Sequence, residues 1–215
     1  MLNIAFDAAS SGGNTGQASL TVAHTCTGTN RILFTFVHSR DFSSDQVTGI
    51  TYAGVAMTKI NEVEQGTQQG VLYYLINPAS GANNIIVTMS GAANGIQAAS
   101  ASYTGVATSG IPDASDTTTQ SSGATIVCTV TTVLDNCWGV MGAWNNDSSP
   151  AAGSGTTERA ETSNCAIYDN NSAKTPPGSL TLTATNVGGE AVALMASFPP
   201  GEESVTGDIQ GYFNV

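Results

Sequence analysis

Residues 101–106 read ASYTGV and residues 196–201 read ASFPPG, so Ala101-Ser102-Tyr103 returns 95 positions later as Ala196-Ser197-Phe198. Three residues alone decide nothing. A duplicated unit shows itself when several segments repeat in one order while the loops between them drift in length. Upstream, NIIVTMSG (84–91) places Ile85, Val87 and Met89 in the alternation that Leu180, Leu182 and Ala184 repeat in SLTLTATN (179–186), again 95 positions on. GVLYYLINPASGA (70–82) sets Tyr74 against Tyr168 of NCAIYDNNSAKTPPG (164–178) at an offset of 94, and both runs close in a turn bearing Pro and Gly. SLTVAHTCTGTNRILFTFVHS (19–39) aligns with TIVCTVTTVLDNCWGVMGAWN (125–145) when Asn30 is matched to Asn136. The chain therefore divides into two diverged halves, about 18–106 and 124–200, each with about four strands in the same order, inside one domain of residues 1–200. Residues 201–215 form a C-terminal tail.

Composition points to an all-β chain. Lysine and arginine number five, while β-branched residues fit a pleated surface and the 24 glycines supply turns. A length of 215 residues buries about 70% of the unfolded surface without staples. ASLTVAHT (18–25) alternates Leu20, Val22 and His24 against Ser19, Thr21 and Ala23, a strand with one buried face. RILFTFVHS (31–39) is apolar on both faces, so it is a central strand or one whose outer face meets another chain. VTGITYAGVAMTKI (47–60) reads as a hairpin turning at Ala53-Gly54. Residues 107–123 have no apolar periodicity and read as a linker crossing between sheets. Two equivalent strand sets hide their apolar faces by stacking, which predicts a two-sheet antiparallel β-sandwich, jelly-roll-like, with two pseudo-repeated halves. An immunoglobulin-like topology is the alternative, although the Cys and Trp spacing does not fit it.

Sixteen acidic against five basic residues give a net charge of −11, which repels a nucleic-acid backbone. No apolar run approaches the length of a membrane span and no signal-peptide pattern stands at the start. Cys26, Cys128, Cys137 and Cys165 show no CxxC pairing, so a structural zinc is not expected. They read as buried thiols, with a Cys128–Cys137 disulfide as the other possibility. His24 and His38 read as strand residues rather than catalytic bases, and no GxSxG elbow is present. Loop acids such as Asp113, Asp116 and Asp135 read as solvated strand terminators rather than a glycosidase pair. WNNDSS (144–149) and YDNNS (168–172) offer clustered oxygens without EF-hand spacing, so no metal or other cofactor is assigned. Trp144, with Asn145 and Asp147, is the candidate ligand site, an aromatic at a strand mouth. Tyr212, Phe213 and Val215 give the tail a reason to pack on its own sandwich or on a neighbour's sheet edge. They are the expected interface anchors, with Phe34 and Phe36 of the apolar strand as support.

The runs FDAASSGGNTG (6–16), HTCTGTNRILFTFV (24–37), VTGITYAGVAMTKI (47–60) and LYYLINPASGANNIIVTMSG (72–91) resemble a β-sandwich module of tailed-phage structural proteins. The resemblance covers residues 4–106 well and the second half weakly. Such a module carries Asn before the hairpin glycine, where this chain has Ala53. The resemblance implies a non-enzymatic virion protein with no catalytic residues to transfer. The expected role is a capsid decoration or cement protein on the virion surface, made in the host cytoplasm. It would contact the major capsid protein or other virion proteins and copies of itself, without nucleic acid or membrane. The alternative is a carbohydrate- or receptor-binding adhesin module of a tail or head fibre, with surface glycans as partners and Trp144 or a tyrosine exposed near the acidic loops.

Overall fold

The computed structural model describes residues 1–40, 46–185 and 188–202, and it is all-β, with antiparallel sheets. The first half contributes β1 (Ala5–Asn14), β2 (Gln17–Cys26), β3 (Ile32–Arg40), β4 (Val47–Tyr52), β5 (Val55–Ala56), β6 (Thr58–Gln65), β7 (Gln68–Ile76), β8 (Gly81–Ala93) and β9 (Gly95–Thr104). The second contributes β10 (Ala114–Gln120), β11 (Thr125–Thr131), β12 (Trp138–Asn145), β13 (Thr157–Thr162), β14 (Cys165–Asp169), β15 (Ser179–Thr185) and β16 (Ala191–Phe198).

Burial separates two kinds of strand. In β2, β11 and β15 exposed and buried residues alternate, as a sheet with one wet face requires, whereas β12 and β16 are buried throughout and β3 is buried up to its last residue. A strand buried on both faces needs a layer on each side, and the structure supplies four layers. The inner sheets run β1-β9-β3-β7-β6 and β10-β16-β12-β14-β13; the outer ones run β2-β8-β4-β5 and β11-β15. Phe34, Phe36, Leu72 and Tyr103 of one inner sheet meet Val140, Trp144, Leu194 and Phe198 of the other. On the opposite faces, Leu33, Val37 and Tyr73 pack on the first outer sheet, and Met141, Tyr168 and Met195 on the second. Each half is thus a β-sandwich of its own. The expected antiparallel β-sandwich architecture is present, and each strand set divides between an inner and an outer sheet, with β2, β4, β5 and β8 leaving the first inner sheet and β11 and β15 the second.

The inner strand orders correspond place for place, and they extend the halves beyond the expected limits. β1 pairs with β9, outside the 18–106 unit, and β10 pairs with β16 inside the segment expected to be a linker. Pairing also corrects one alignment. Phe34 faces Tyr74 across β3–β7, and Val140 faces Asp169 across β12–β14, which makes Tyr73 the counterpart of Tyr168. Tyr73 and Tyr168 both point to outer sheets while Tyr74 packs on Phe34. A one-residue slip reverses every side chain. Gly70 then stands where the second half has Cys165.

Several local features follow from single residues. Ala53 and Gly54 turn the β4–β5 hairpin with φ of 51° and 79°, both left-handed, as a two-residue hairpin turn demands. The second half has no counterpart of that hairpin among its described strands. There the segment 151–156 lies along β15, with Gly153 N–H donating to Thr183 O (2.8 Å) and Thr185 N–H to Ala151 O (2.8 Å). Asp113 holds the turn before β12 by accepting from the N–H groups of Val133 (3.0 Å) and Leu134 (3.1 Å).

Candidate functional site

At one end of the inner sheets the two halves part into a cleft of about 470 Å³. The first half lines it with the β1–β2 turn, the C-terminal end of β3 and the β8–β9 turn. The second lines it with the end of β12 and the β13–β14 turn. A cleft between two packed units is where small ligands most often lie.

His38 and Trp144 form its floor. They lie near the C-terminal ends of β3 and β12, they are the residues matched when Asn30 is aligned with Asn136, and their rings stack at 3.9 Å with 7° between planes. Trp144 is only 3% exposed, so it is not the free-standing platform expected of an adhesin. Burial holds the His38 imidazole down at about 3, a shift that neighbouring Arg40 reinforces and that the amides of Gln68 and Gln97 oppose. The ring is therefore neutral near pH 7. Its Nε2 lies 3.1 Å from Gln68 Oε1, an oxygen that only accepts, so Nε2 carries the proton and Nδ1 is a lone pair. That Nδ1 and Gln97 Oε1 are both inaccessible to solvent, and the Gln97 amide stands close enough to the ring to bond it.

Asn145 is removed from ligand chemistry by its own bonds. It is fully buried; its Nδ2 donates to Gly188 O (2.9 Å) and Glu190 O (3.3 Å), and its Oδ1 accepts from the N–H groups of Asp147 (2.9 Å) and Ser148 (3.0 Å). Asp147 is exposed and lies against Gly189, outside the cleft lining. The second oxygen cluster is also engaged. Asp169, fully buried, receives Arg159 Nε (2.7 Å) and Nη2 (3.0 Å), Asn171 Oδ1 receives the same Nη2 (2.7 Å), and Asn170 Oδ1 receives Gly139 N–H (2.9 Å). The Arg159 guanidinium also sits 4.2 Å over the Phe6 ring of the other half. Among the described residues no group of three or more His, Cys, Asp or Glu side chains gathers as metal ligands.

A second polar chain, which sequence reading missed, lies at the edge between β1 and β2. Ser102 Oγ donates to Asp7 Oδ2 (2.9 Å), so it accepts from His24 Nε2 (3.1 Å), which leaves Nδ1 to accept from the Ser10 hydroxyl (2.8 Å). The order resembles a nucleophile with its base. However, burial lowers His24 to about 4 against the opposing pull of Asp7, and a base that weak is poorly matched to neutral pH. The chain reads as a fully bonded pin between the two layers. All four cysteines are free and buried, and burial pushes the thiols of Cys128 and Cys137 up to about 12. Such thiols are inert packing groups.

Phe34 and Phe36, expected to support an intermolecular interface, are fully buried between the inner sheets and join the halves instead. Tyr212, Phe213 and Val215 lie outside the described residues. Comparison with known proteins finds no matching family model, no matching curated protein and no matching solved structure.

Proposed function

We propose that the chain is a non-enzymatic structural module of a virion surface, a decoration or cement protein of a tailed-phage capsid, that works through surface contact. The observation that supports the non-enzymatic reading is the use made of its reactive groups. Both imidazoles and all four thiols are buried in packing or hydrogen-bonded roles, and Asp7, Asp113 and Asp169 are spent on backbone N–H groups, hydroxyls or Arg159. Four layers pinned in this way make a rigid block, which suits a protein that must hold its shape on a lattice. The strand orders are read as two jelly rolls wound alike, the second lacking the β4–β5 hairpin. The tailed-phage assignment itself rests on the likeness of the sequence runs given above.

Co-sedimentation with capsids stripped of accessory proteins tests it. Saturation at a copy number matching the icosahedral lattice is expected, weakened by deletion of residues 202–215. No binding at micromolar concentration would overturn the decoration role.

A further inference from the structure

We propose that the end of the block opposite the cleft is a docking surface for the chain's own last residues, 203–215, with Val133 and Leu134 as its apolar contacts. The proposal concerns a single chain in solution and stands apart from the capsid role.

Six large apolar side chains stand exposed among the described residues, and three of them, Met1 (66%), Val133 (71%) and Leu134 (48%), gather at this end. Such a cluster marks a contact surface more often than chance exposure does. Asp113 holds the turn by accepting from the Val133 and Leu134 N–H groups, and it also accepts from Ser197 Oγ (3.1 Å), so the two side chains project from a fixed backbone.

The other half shows that the turn itself does not need them. With Asn30 aligned on Asn136, Val133 and Leu134 stand where the first half has Thr27 and Gly28. That turn is held in the same way, since Asp7 accepts from Thr27 N–H (2.8 Å) and from Ser102 Oγ (2.9 Å), yet it carries no apolar side chain. The chain leaving β9 runs along it, with Gly105 N–H donating to Thr29 O (3.3 Å) and Val106 N–H to Asn30 O (3.0 Å). In the second half the chain leaving β16 reaches Glu202 in a groove of about 430 Å³ that Leu134, Pro199 and Pro200 also line. The apolar pair therefore stands beside the point from which the remaining chain departs.

Thirteen residues follow Glu202, among them Val205, Ile209, Tyr212, Phe213 and Val215. Extended, they reach at most about 43 Å, whereas four stacked sheets span about 30 Å, so every part of this end lies within their range. Glu202 is the one ionisable residue of the groove's described lining, so the surface offers apolar contact rather than ion pairing, which matches those side chains. A segment tethered at the groove also meets it at an effective concentration that a second copy does not reach in dilute solution.

NMR on the uniformly labelled full chain tests this, beside a sample that mixes labelled and unlabelled chains. Overhauser contacts between the methyls of Val133 or Leu134 and the rings of Tyr212 or Phe213 are expected within one chain and not between chains. Two double variants accompany it. Val133→Thr with Leu134→Ser makes the turn polar, as in the first half, and keeps the backbone groups that Asp113 holds; Tyr212→Ser with Phe213→Ser changes none of the described residues. Each should raise the rate of proteinase K cleavage within 203–215 about tenfold, because cleavage follows the undocked population. Three results would each overturn the proposal: no contact between the rings and this end, contacts found only between chains, which would make a second copy's tail the occupant, or a cleavage rate that neither variant changes.

Discussion

Acidification from pH 7 to pH 5 is predicted to strip about 4 kcal/mol from the folded state through the two histidines. In the unfolded chain each imidazole titrates near its ordinary value of about 6.5. In the folded chain burial holds His24 at about 4 and His38 at about 3. Between those values the unfolded chain binds a proton at each site that the folded chain refuses, so stability rises with pH. The contribution is complete above pH 6.5 and is lost as the pH falls toward the folded values. One pH unit of such a difference is about 1.36 kcal/mol, and pH 5 lies about 1.5 units below the unfolded value, which gives about 2 kcal/mol per histidine. Against a typical total of about 5–15 kcal/mol this is a large share. Glu158, raised by burial and by Glu161, acts in the opposite sense, so the histidines must be isolated by substitution. Urea unfolding at pH 7, 6 and 5 is the assay, with His24→Asn and His38→Gln each expected to remove about half of the pH dependence. The imidazole Cε1–H resonances of the folded protein should move by no more than about a tenth of their full titration range between pH 7.5 and 5. A native-state midpoint near 6.5 at either ring would refute the burial argument outright.

Ala53 carries a φ of 51°, a left-handed conformation that is costly for a residue with a Cβ and that Asn tolerates. Ala53→Asn should therefore raise stability by up to about 1 kcal/mol and the melting temperature by about 2–4 °C, read by calorimetry; a lower melting temperature would contradict the turn assignment. Arg159→Met leaves the fully buried Asp169 carboxylate unpaired and should cost about 3–5 kcal/mol in chemical denaturation. Adding Asp169→Asn to that variant should return part of the loss, and a double variant no more stable than the single would show that the ion pair is not the source.

Much of the fold was legible because alternation is a direct imprint of one wet face. Leu20 and Val22, or Leu180 and Leu182, could be assigned inward from sequence, and Ala53-Gly54 marked a hairpin. The layer count was present too, though less plainly. A run such as Ile32 to Val37, apolar on both faces, sits in the same half as the alternating run Ser19 to Thr25, and a chain that contains both needs inner and outer sheets. β10 was illegible because an edge strand half buried along its length shows no alternation. In the cleft, His38 and Trp144 were visible as aligned strand ends. Gln97 and Asn164 were not, since turns that are distant in sequence bring them together and nothing in their neighbours marks the meeting.

The seam between the halves explains why the cleft opens where it does. Aligned positions meet each other across it: Tyr103 and Phe198 at 5.0 Å, His38 and Trp144 at 3.9 Å, and Phe36 against Gly142, where an added Cβ would fall 2.1 Å from Phe36 Cγ. When like surfaces face each other, the same residue near the axis meets its own copy. At two of these levels ring packs on ring, and at the third Gly142 leaves the room that the Phe36 ring fills. Gly142→Ala should then cost about 3 kcal/mol by overpacking, and Gly142→Phe considerably more. The exchange Phe36→Gly with Gly142→Phe returns one ring and one hole to the same level of the seam, so it should recover a substantial part of what Gly142→Phe loses, a coupling readable in a double-mutant cycle. A double variant no more stable than Gly142→Phe would mean that the two sides of the seam are not interchangeable. If the recovery is found, the final pair, His38 and Trp144, takes its place as the level at which strand packing ends and polar groups can be placed without disturbing the core.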